Sequence, residues 1–97
     1  MRYEIILAPE AERDHKKLKA AIRAEVRGSI EVHLRHEPMK TSKSSIKRLR
    51  GLTQPQYRLR VGDLRVYYDV KASSVLVLAI ILKSEADRWL REAGKST

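Results

Sequence analysis

The sequence predicts an α+β fold in which a small, antiparallel-rich β-sheet packs against an N-terminal helical hairpin and carries a short C-terminal helix. Three observations predict it: helical spacing of apolar residues from Pro9 to Glu37, alternating strands on both sides of Gly62-Asp63, and an unbroken apolar run over Val75 to Leu82. The 97 residues fit one domain, residues 1–97. Because the chain has no Phe and one Trp, its core must be built mainly from Leu, Ile, Val and Ala.

The N-terminal part predicts a strand followed by helix. Tyr3 to Leu7 is apolar and β-prone, and Pro9 can serve as the first helical residue because its missing N–H would be unpaired there anyway. Pro38 ends the helical pattern, since the residue before a proline is driven out of the helical region. One long helix or a helical hairpin is expected. The stripe that should face the core consists of Ala11, His15, Leu18, Ile22, Val26, Ile30 and Leu34.

The C-terminal half predicts a β-hairpin and a buried strand. Gly62 stands at the first position of a two-residue loop, which is what a type II′ turn requires. Val75 to Leu82 is apolar at every position, which is typical of a strand buried on both faces, so we expect it in the centre of the sheet.

The segments around these elements predict loops and a last helix. Met39 to Ser45 is polar and basic and should be an exposed loop, and residues 52–56 should form a turn. Ser84 resembles a helix N-cap because Asp87 follows it three residues later, close to a capping box. The tail from Gly94 to Thr97 is expected to be frayed.

The charge of the chain points to a polyanionic partner. Lys and Arg number 21 against 12 Asp and Glu, a formal charge of +9, which creates a positive field over much of a small surface. The alternative is that this charge only keeps the protein soluble. The absence of cysteine excludes disulfides, thiolate nucleophiles and cysteine metal sites. The start of the chain lacks the pattern of a signal peptide and no run is long enough to span a bilayer, so we expect a cytoplasmic protein without membrane insertion.

The predicted hairpin brings arginines together. If Gly62-Asp63 is a two-residue loop, Arg60 faces Arg65 and Arg58 faces Tyr67 across the two strands. Like charges directly opposite each other destabilise a sheet by up to about 1 kcal/mol, and an anion held between them would remove that cost. The planar guanidinium binds phosphate oxygens in a bidentate manner. The alternative is that these arginines are simply the solvated face of the hairpin.

Three consecutive motifs carry a family resemblance: Leu49-Arg50-Gly51, then Tyr57 to Asp63, then Arg65 to Tyr68. Their order, after a strand and a long helical segment and before a final apolar strand, resembles the RelE/ParE toxin superfamily over nearly the whole chain. The resemblance implies a RelE-like fold and a toxin of a type II toxin–antitoxin system, neutralised by a cognate antitoxin of the RelB or Phd/YefM type. Members similar to RelE cut mRNA in the ribosomal A site, whereas ParE-like relatives inhibit DNA gyrase without nuclease activity.

The resemblance also suggests which residues form the site. Lys83 stands at the end of the last strand, where RelE-like nucleases usually have an arginine. We expect it to contact phosphate or to act as a proton donor. The tyrosine that commonly follows is missing from residues 84–89, and Trp89 or Tyr67 could take over its stacking role. The expected catalytic residues are Arg58, Arg60, Arg65 and Lys83, and the expected RNA-binding residues are Lys43, Lys47, Arg48, Arg50 and Tyr67.

Other catalytic groups are not predicted by the sequence. No general base can be named, because a lysine acts as a base only when surrounding positive charge lowers its pKa. His15, His33 and His36 fall in the helical segment and are interpreted as structural. No metal site or small-molecule cofactor is expected, since the carboxylates are dispersed along the chain and no Gly-rich phosphate loop exists.

Three functions therefore stay open at this point. The first is a metal-independent, ribosome-dependent mRNA endonuclease, which the basic strand residues favour. The second is a gyrase inhibitor of the ParE kind, which the missing tyrosine favours. The third is a basic module that binds nucleic acid or a partner protein without toxicity, which the composition alone permits.

Overall fold

The structure is a computed structural model and describes residues 1–96. Its helices are α1 (Pro9–Lys16), α2 (Ala20–Leu34) and α3 (Lys83–Ala93), and its strands are β1 (Glu4–Leu7), β2 (Ile46–Arg48), β3 (Leu52–Gln54), β4 (Tyr57–Val61), β5 (Leu64–Lys71), β6 (Ser74–Leu82) and β7 (Lys95–Ser96). Within this part of the chain, no helix has the length and apolar character needed to cross a membrane.

Five strands form the main sheet in the order β1-β6-β5-β4-β2. β1 runs parallel to β6, and the other neighbours are antiparallel. The predicted α+β fold with an antiparallel-rich sheet is therefore confirmed. β6 lies between β1 and β5, so the apolar run that defines it is interior to the sheet as expected.

The hairpin between β4 and β5 has the predicted register. Val61 pairs with Leu64 and Leu59 pairs with Val66, which leaves Gly62-Asp63 as a two-residue loop. Gly62 has φ +55, whereas Asp63 does not have a positive φ. Positive φ at the first loop position alone is the signature of a type II′ turn, and a glycine meets it without steric cost.

The N-terminal helical segment is a hairpin of two helices rather than one long helix. The break falls at residues 17–19, where Lys19 takes an extended conformation with φ −64 and ψ 151. No proline or glycine marks the break. Ile22, one turn after it, is 40% exposed and so departs from the predicted core stripe, whereas the rest of the α2 stripe is buried. The helices and the sheet together bury Tyr3, Ala11, Val26, Ile30, Leu34, Ile46, Leu59, Val61, Leu64, Val66, Tyr68, Val75, Val77 and Ile80.

The predicted turn at residues 52–56 and the predicted frayed tail are both wrong in part. Leu52–Gln54 is a strand that pairs antiparallel with Lys95–Ser96, so the two short segments order each other. The last residue of the predicted tail, Thr97, lies outside the described residues.

The predicted N-cap of the last helix is also wrong. α3 begins at Lys83, its N-cap is Leu82, and no side chain caps it. The reason is that the chain passes straight from β6 into the helix, with Leu82 still extended at ψ 145. Ser84 is therefore already inside the first turn.

α3 lies on the side of the sheet opposite the helical hairpin. α1 contacts β1 and β6 and α2 contacts β4, whereas α3 contacts β5 and β6. Trp89 of α3 stacks on Tyr67, whose neighbours Val66 and Tyr68 belong to the core on the other side of the sheet. We call the face that carries α3 the outer face. The side chains directed to this face include Lys47, Arg58, Arg60, Arg65 and Tyr67.

Candidate nucleic-acid interface

Strand register places the predicted arginines in two rows across the outer face. In the first row Lys47 pairs with Arg58, and Arg58 pairs with Tyr67. In the second row, two residues nearer the hairpin turn, Arg60 pairs with Arg65. The opposed arginines predicted from the sequence are therefore direct neighbours, and their repulsion costs up to about 1 kcal/mol of sheet stability.

Arg65 is the buried member of this group. It is 5% exposed, and its Nη1 donates to the carbonyl oxygens of Gly62 at 2.9 Å and Leu64 at 2.8 Å. Burial lowers the pKa of Arg65, and the charges of Arg58 and Arg60 lower it further. The side chain braces the turn and contributes fixed positive charge from below the surface.

Arg58 and Arg60 are the arginines that an anion can reach. Arg60 is exposed and Arg58 is half-buried. The Nε of Arg58 is buried and has no hydrogen-bond partner anywhere in residues 1–96. An unsatisfied buried donor costs about 1–3 kcal/mol, which a face selected for stability alone would avoid.

Tyr67 is covered by α3. Its ring stacks on Trp89 with centroids 5.1 Å apart and an interplanar angle of 21°, and Tyr67 is 2% exposed. Trp89 is fixed from the other side because its Nε1 donates to Oε2 of Glu10 at 2.7 Å. A nucleobase cannot reach the face of Tyr67 that Trp89 covers, so in this arrangement the half-buried Trp89 is the more accessible aromatic ring.

Lys83 lies at the end of the outer face next to the hairpin turn. Its backbone N–H donates to the carbonyl oxygen of Asp63 at 2.8 Å, and its side chain is exposed. A cavity of about 510 Å³ opens here, lined by Asp63, Leu82, Lys83, Ser84 and Asp87. The carboxylates of Asp63 and Asp87, which are far apart in the sequence, line the same cavity as Lys83. Because Lys83 and Asp87 are four residues apart on a helix, the sequence alone could have indicated that Asp87 lies near Lys83.

The remaining basic residues divide between the two faces. Lys47 and Arg50 line a groove of about 750 Å³ that Leu90 of α3 closes on one side. Arg48 also lines this groove, but its guanidinium carbon lies 5.0 Å from the ring centroid of Tyr57, whose ring stacks on core residue Tyr68. Arg48 is therefore directed toward the opposite face and is not part of the arginine rows.

Lys43 is exposed in the loop before β2, outside both rows. His15, His33 and His36 lie on or next to the helical hairpin, away from the outer face. Across residues 1–96, His, Asp and Glu side chains nowhere converge in a group of three that could hold a metal ion.

A family model described as "ParE toxin of type II toxin-antitoxin system, parDE" matches residues 5–87. The chain belongs to this family. The RelE/ParE resemblance of the motifs is thereby confirmed, and the match covers both arginine rows, Lys83 and the first turn of α3. No protein of curated function matches the chain by sequence.

Solved structures show that this ParE-family toxin has a RelE-like fold. A chain of the archaeal RelE–RelB complex from Pyrococcus horikoshii is 23% identical with a TM-score of 0.70, covering 86% of this chain and 97% of that one. The E. coli toxin RelE, an arginine-to-alanine double mutant in the free state, is 24% identical with a TM-score of 0.69 and coverages of 96% and 95%. A chain of the toxin–antitoxin complex RelBE2 from Mycobacterium tuberculosis is 25% identical with a TM-score of 0.69 and coverages of 84% and 92%.

Proposed function

We propose that this ParE-family toxin is a metal-independent endoribonuclease that cuts mRNA in the ribosomal A site and so stops translation in the cytoplasm. The observation that carries the proposal is the convergence of Arg58, Arg60 and Arg65 on one face, with the buried Nε of Arg58 unpartnered in the described chain. A protein that used this face only for its own stability would gain nothing from opposed like charges.

RNA cleavage makes demands that this face can meet. The 2′-hydroxyl attacks the neighbouring phosphate, negative charge builds on the phosphate oxygens, and the departing 5′-oxygen needs a proton. Arg58 and Arg60 would bind those oxygens, and preorganised charge of this kind can contribute about 3–4 kcal/mol per donor. Arg65 would add charge from beneath. Lys83, at the edge of the same face, would protonate the 5′-oxygen.

The groove between β2 and α3 would extend the surface along the RNA. Lys47 and Arg50 line it, and basic side chains along a groove track the phosphate backbone without reading sequence. Trp89, half-buried over Tyr67, would provide the stacking contact that the missing tyrosine supplies in RelE-like nucleases.

A second candidate function is inhibition of DNA gyrase without nuclease activity. The match to the ParE family favours it, and so does the lack of a tyrosine in residues 84–89. The arginine rows favour the nuclease, because a binding inhibitor has no need to concentrate Arg58, Arg60 and Arg65 on one face.

A cognate antitoxin is the expected protein partner. Several solved chains with this fold were determined in complexes of RelE with RelB, so we propose a RelB-like antitoxin, with the Phd/YefM type as the alternative. An acidic segment that covers the outer face would neutralise the toxin by occupying its arginines.

One experiment separates the candidate functions. The purified toxin is added to a translation reaction and breaks in the message are mapped, beside a gyrase supercoiling assay. We expect cuts at A-site codons that disappear with Arg58→Ala and persist with Lys71→Ala, an exposed basic residue at the far end of β5. An intact message with inhibited gyrase would establish the second function instead, and an intact message with normal gyrase would leave a basic binding module.

A further inference from the structure

A carboxylate stands at the edge of the arginine cluster, where the proposed reaction lacks a proton acceptor. We propose that Asp87 is the general base that takes the proton from the attacking 2′-hydroxyl. This inference rests on the proposed mRNA cleavage. The reaction needs a proton acceptor, and the arginines cannot supply it because an arginine side chain stays protonated.

The faces of α3 place Asp87 toward the arginines. Ala86 is 7% exposed and packs against the sheet, while Trp89 reaches Glu10 at the end of α1. Leu90 lines the groove beside β2, at the opposite edge of the helix from that contact. Residues three or four apart share a helix face, so Asp87, three residues before Leu90, lies along the edge that borders the basic strands.

The charges around Tyr67 locate Asp87 more closely. Burial raises the pKa of Tyr67, while Arg58 and Arg65 lower it and Asp87 raises it. Arg58 is the cross-strand partner of Tyr67, so the charge of Asp87 acts on a residue of the first arginine row. Lys83, the proposed donor to the 5′-oxygen, lines the same cavity as Asp87. Acceptor and donor thus share one cavity beside the hairpin turn, at the end of the strands that carry the arginines.

The Asp87 carboxylate is available for proton transfer. It is exposed, and within residues 1–96 it makes no ion pair shorter than 4.0 Å, although Lys83 and Arg91 lie one helical turn away on either side. Glu85, by contrast, is paired with Arg88 at 3.3 Å. A free carboxylate repels phosphate and would weaken a surface that only bound RNA. As a base it has a chemical reason to be there.

The proposed step balances with these groups. Asp87 accepts the proton of the 2′-hydroxyl as the bond from O2′ to phosphorus forms. The bond from phosphorus to O5′ breaks, and Lys83 gives its proton to the departing oxygen. The products are an RNA end with a 2′,3′-cyclic phosphate and an RNA end with a 5′-hydroxyl, and no oxidant, reductant or co-reactant is consumed.

The test compares cleavage with binding in single-turnover reactions on ribosomes programmed with message. We expect Asp87→Asn to lower the cleavage rate by about 100-fold or more, the usual contribution of a general base, while its binding to the programmed ribosome stays within about threefold. Asp87→Glu restores the carboxylate and should recover a tenth or more of the wild-type rate. Glu85→Gln, on the same helix, is the matched control and should cut within about threefold of wild type, and Asp63→Asn, in the same cavity, should lose less activity than Asp87→Asn.

Two results would overturn the assignment. One is Asp87→Asn cutting at a rate close to wild type. The other is Asp63→Asn losing as much activity as Asp87→Asn, which would show that the cavity's charge matters rather than one acceptor. Thermal unfolding checks that each variant is folded, as expected for an exposed side chain that makes no ion pair in the described residues. Failure of the proposed function looks different, since the wild-type protein would then leave the message intact.

Discussion

Arg60 and Arg65 are direct cross-strand partners in β4 and β5, yet Arg60 is exposed and Arg65 is 5% exposed. Two like charges at the same level of the sheet thus have different surroundings. Arg65 gives its donors to carbonyl groups of the turn, whereas Arg60 is open to solvent. This difference divides the arginine pair into one residue that braces the turn and one whose side chain is accessible to a ligand.

Removing Arg60 should separate stability from activity. We expect the free energy of unfolding of Arg60→Ala to equal that of the wild type or to exceed it by up to about 1 kcal/mol, because the substitution removes the repulsion from Arg65. Its mRNA cleavage rate should fall by about 100-fold through loss of a phosphate contact. Denaturant unfolding and cleavage assays measure the two effects. Lys71→Ala, also an exposed cation of this hairpin, should change neither, and an equal loss of cleavage in that variant would refute a specific role for Arg60.

Removing Arg65 should affect the fold first. Arg65→Ala deletes two hydrogen bonds to the carbonyls of Gly62 and Leu64, and we expect the free energy of unfolding to drop by about 1–3 kcal/mol. The loss of cleavage should accompany this loosening of the turn. Unchanged stability together with abolished cleavage would contradict the bracing role and indicate that Arg65 acts by direct contact with RNA.

The hairpin was predictable from sequence, whereas the burial of its arginines was not. Gly62 and the alternating residues around it fix the register, so the pairing of Arg60 with Arg65 follows from local pattern. Alternation indicates that both side chains lie on the outer face, but it does not indicate which of them is buried. Asp87 is predicted from the sequence only as a capping-box partner, because the hairpin turn that carries Asp63 comes to the same cavity from a distant part of the chain.

The strands β3 and β7, and the position of the break within the predicted helical hairpin, could not be predicted from local pattern. β3 and β7 contain three and two residues, too few for an alternating pattern to show, and each is a strand only because the other pairs with it. The break between α1 and α2 lacks proline and glycine, so it is set by how the two helices pack on the sheet. Tertiary contacts override local propensity at all of these places.

Trp89 should hold α3 to the outer face. Trp89→Ala removes the stack on Tyr67 and the hydrogen bond to Glu10, and we expect the free energy of unfolding to fall by about 2 kcal/mol, less than for a fully buried tryptophan. Trp89→Phe keeps the stack and should lose only about 1 kcal/mol for the hydrogen bond. Because Trp89 is the only tryptophan, unfolding is followed by circular dichroism. Equal losses in the two variants would show that the ring stack contributes nothing.

Tyr68 should make the fold sensitive to alkali. Its hydroxyl donates to the carbonyl oxygen of Pro38 at 2.7 Å, and burial raises its pKa well above the ordinary value of 10.0. Below pH 10 the phenol is protonated in both states and its full contribution is present. Above pH 10 the unfolded chain ionises first, so stability falls as the pH rises. Tyr68→Phe should unfold more easily by about 1 kcal/mol at pH 7 and lose this part of the alkaline dependence.

Tyr57→Phe is the matched control for that measurement. Tyr57 stacks on Tyr68 with centroids 5.5 Å apart but is only half-buried. We expect its variant to keep the alkaline dependence of the wild type. An unchanged pH profile in Tyr68→Phe would show that ionisation of this tyrosine is not what destabilises the protein in alkali.

In the proposed reaction, the arginine rows promote attack of an RNA 2′-hydroxyl on the adjacent phosphate. The most direct test programmes ribosomes with a message that carries one 2′-deoxynucleotide immediately 5′ of the cut bond, and measures cleavage by the wild-type toxin against the all-RNA message. We expect cuts in the all-RNA message that leave 5′-hydroxyl ends, and none at the deoxy position although the toxin still binds the ribosome. Equal cutting of both messages, or an all-RNA message that stays intact, would contradict it.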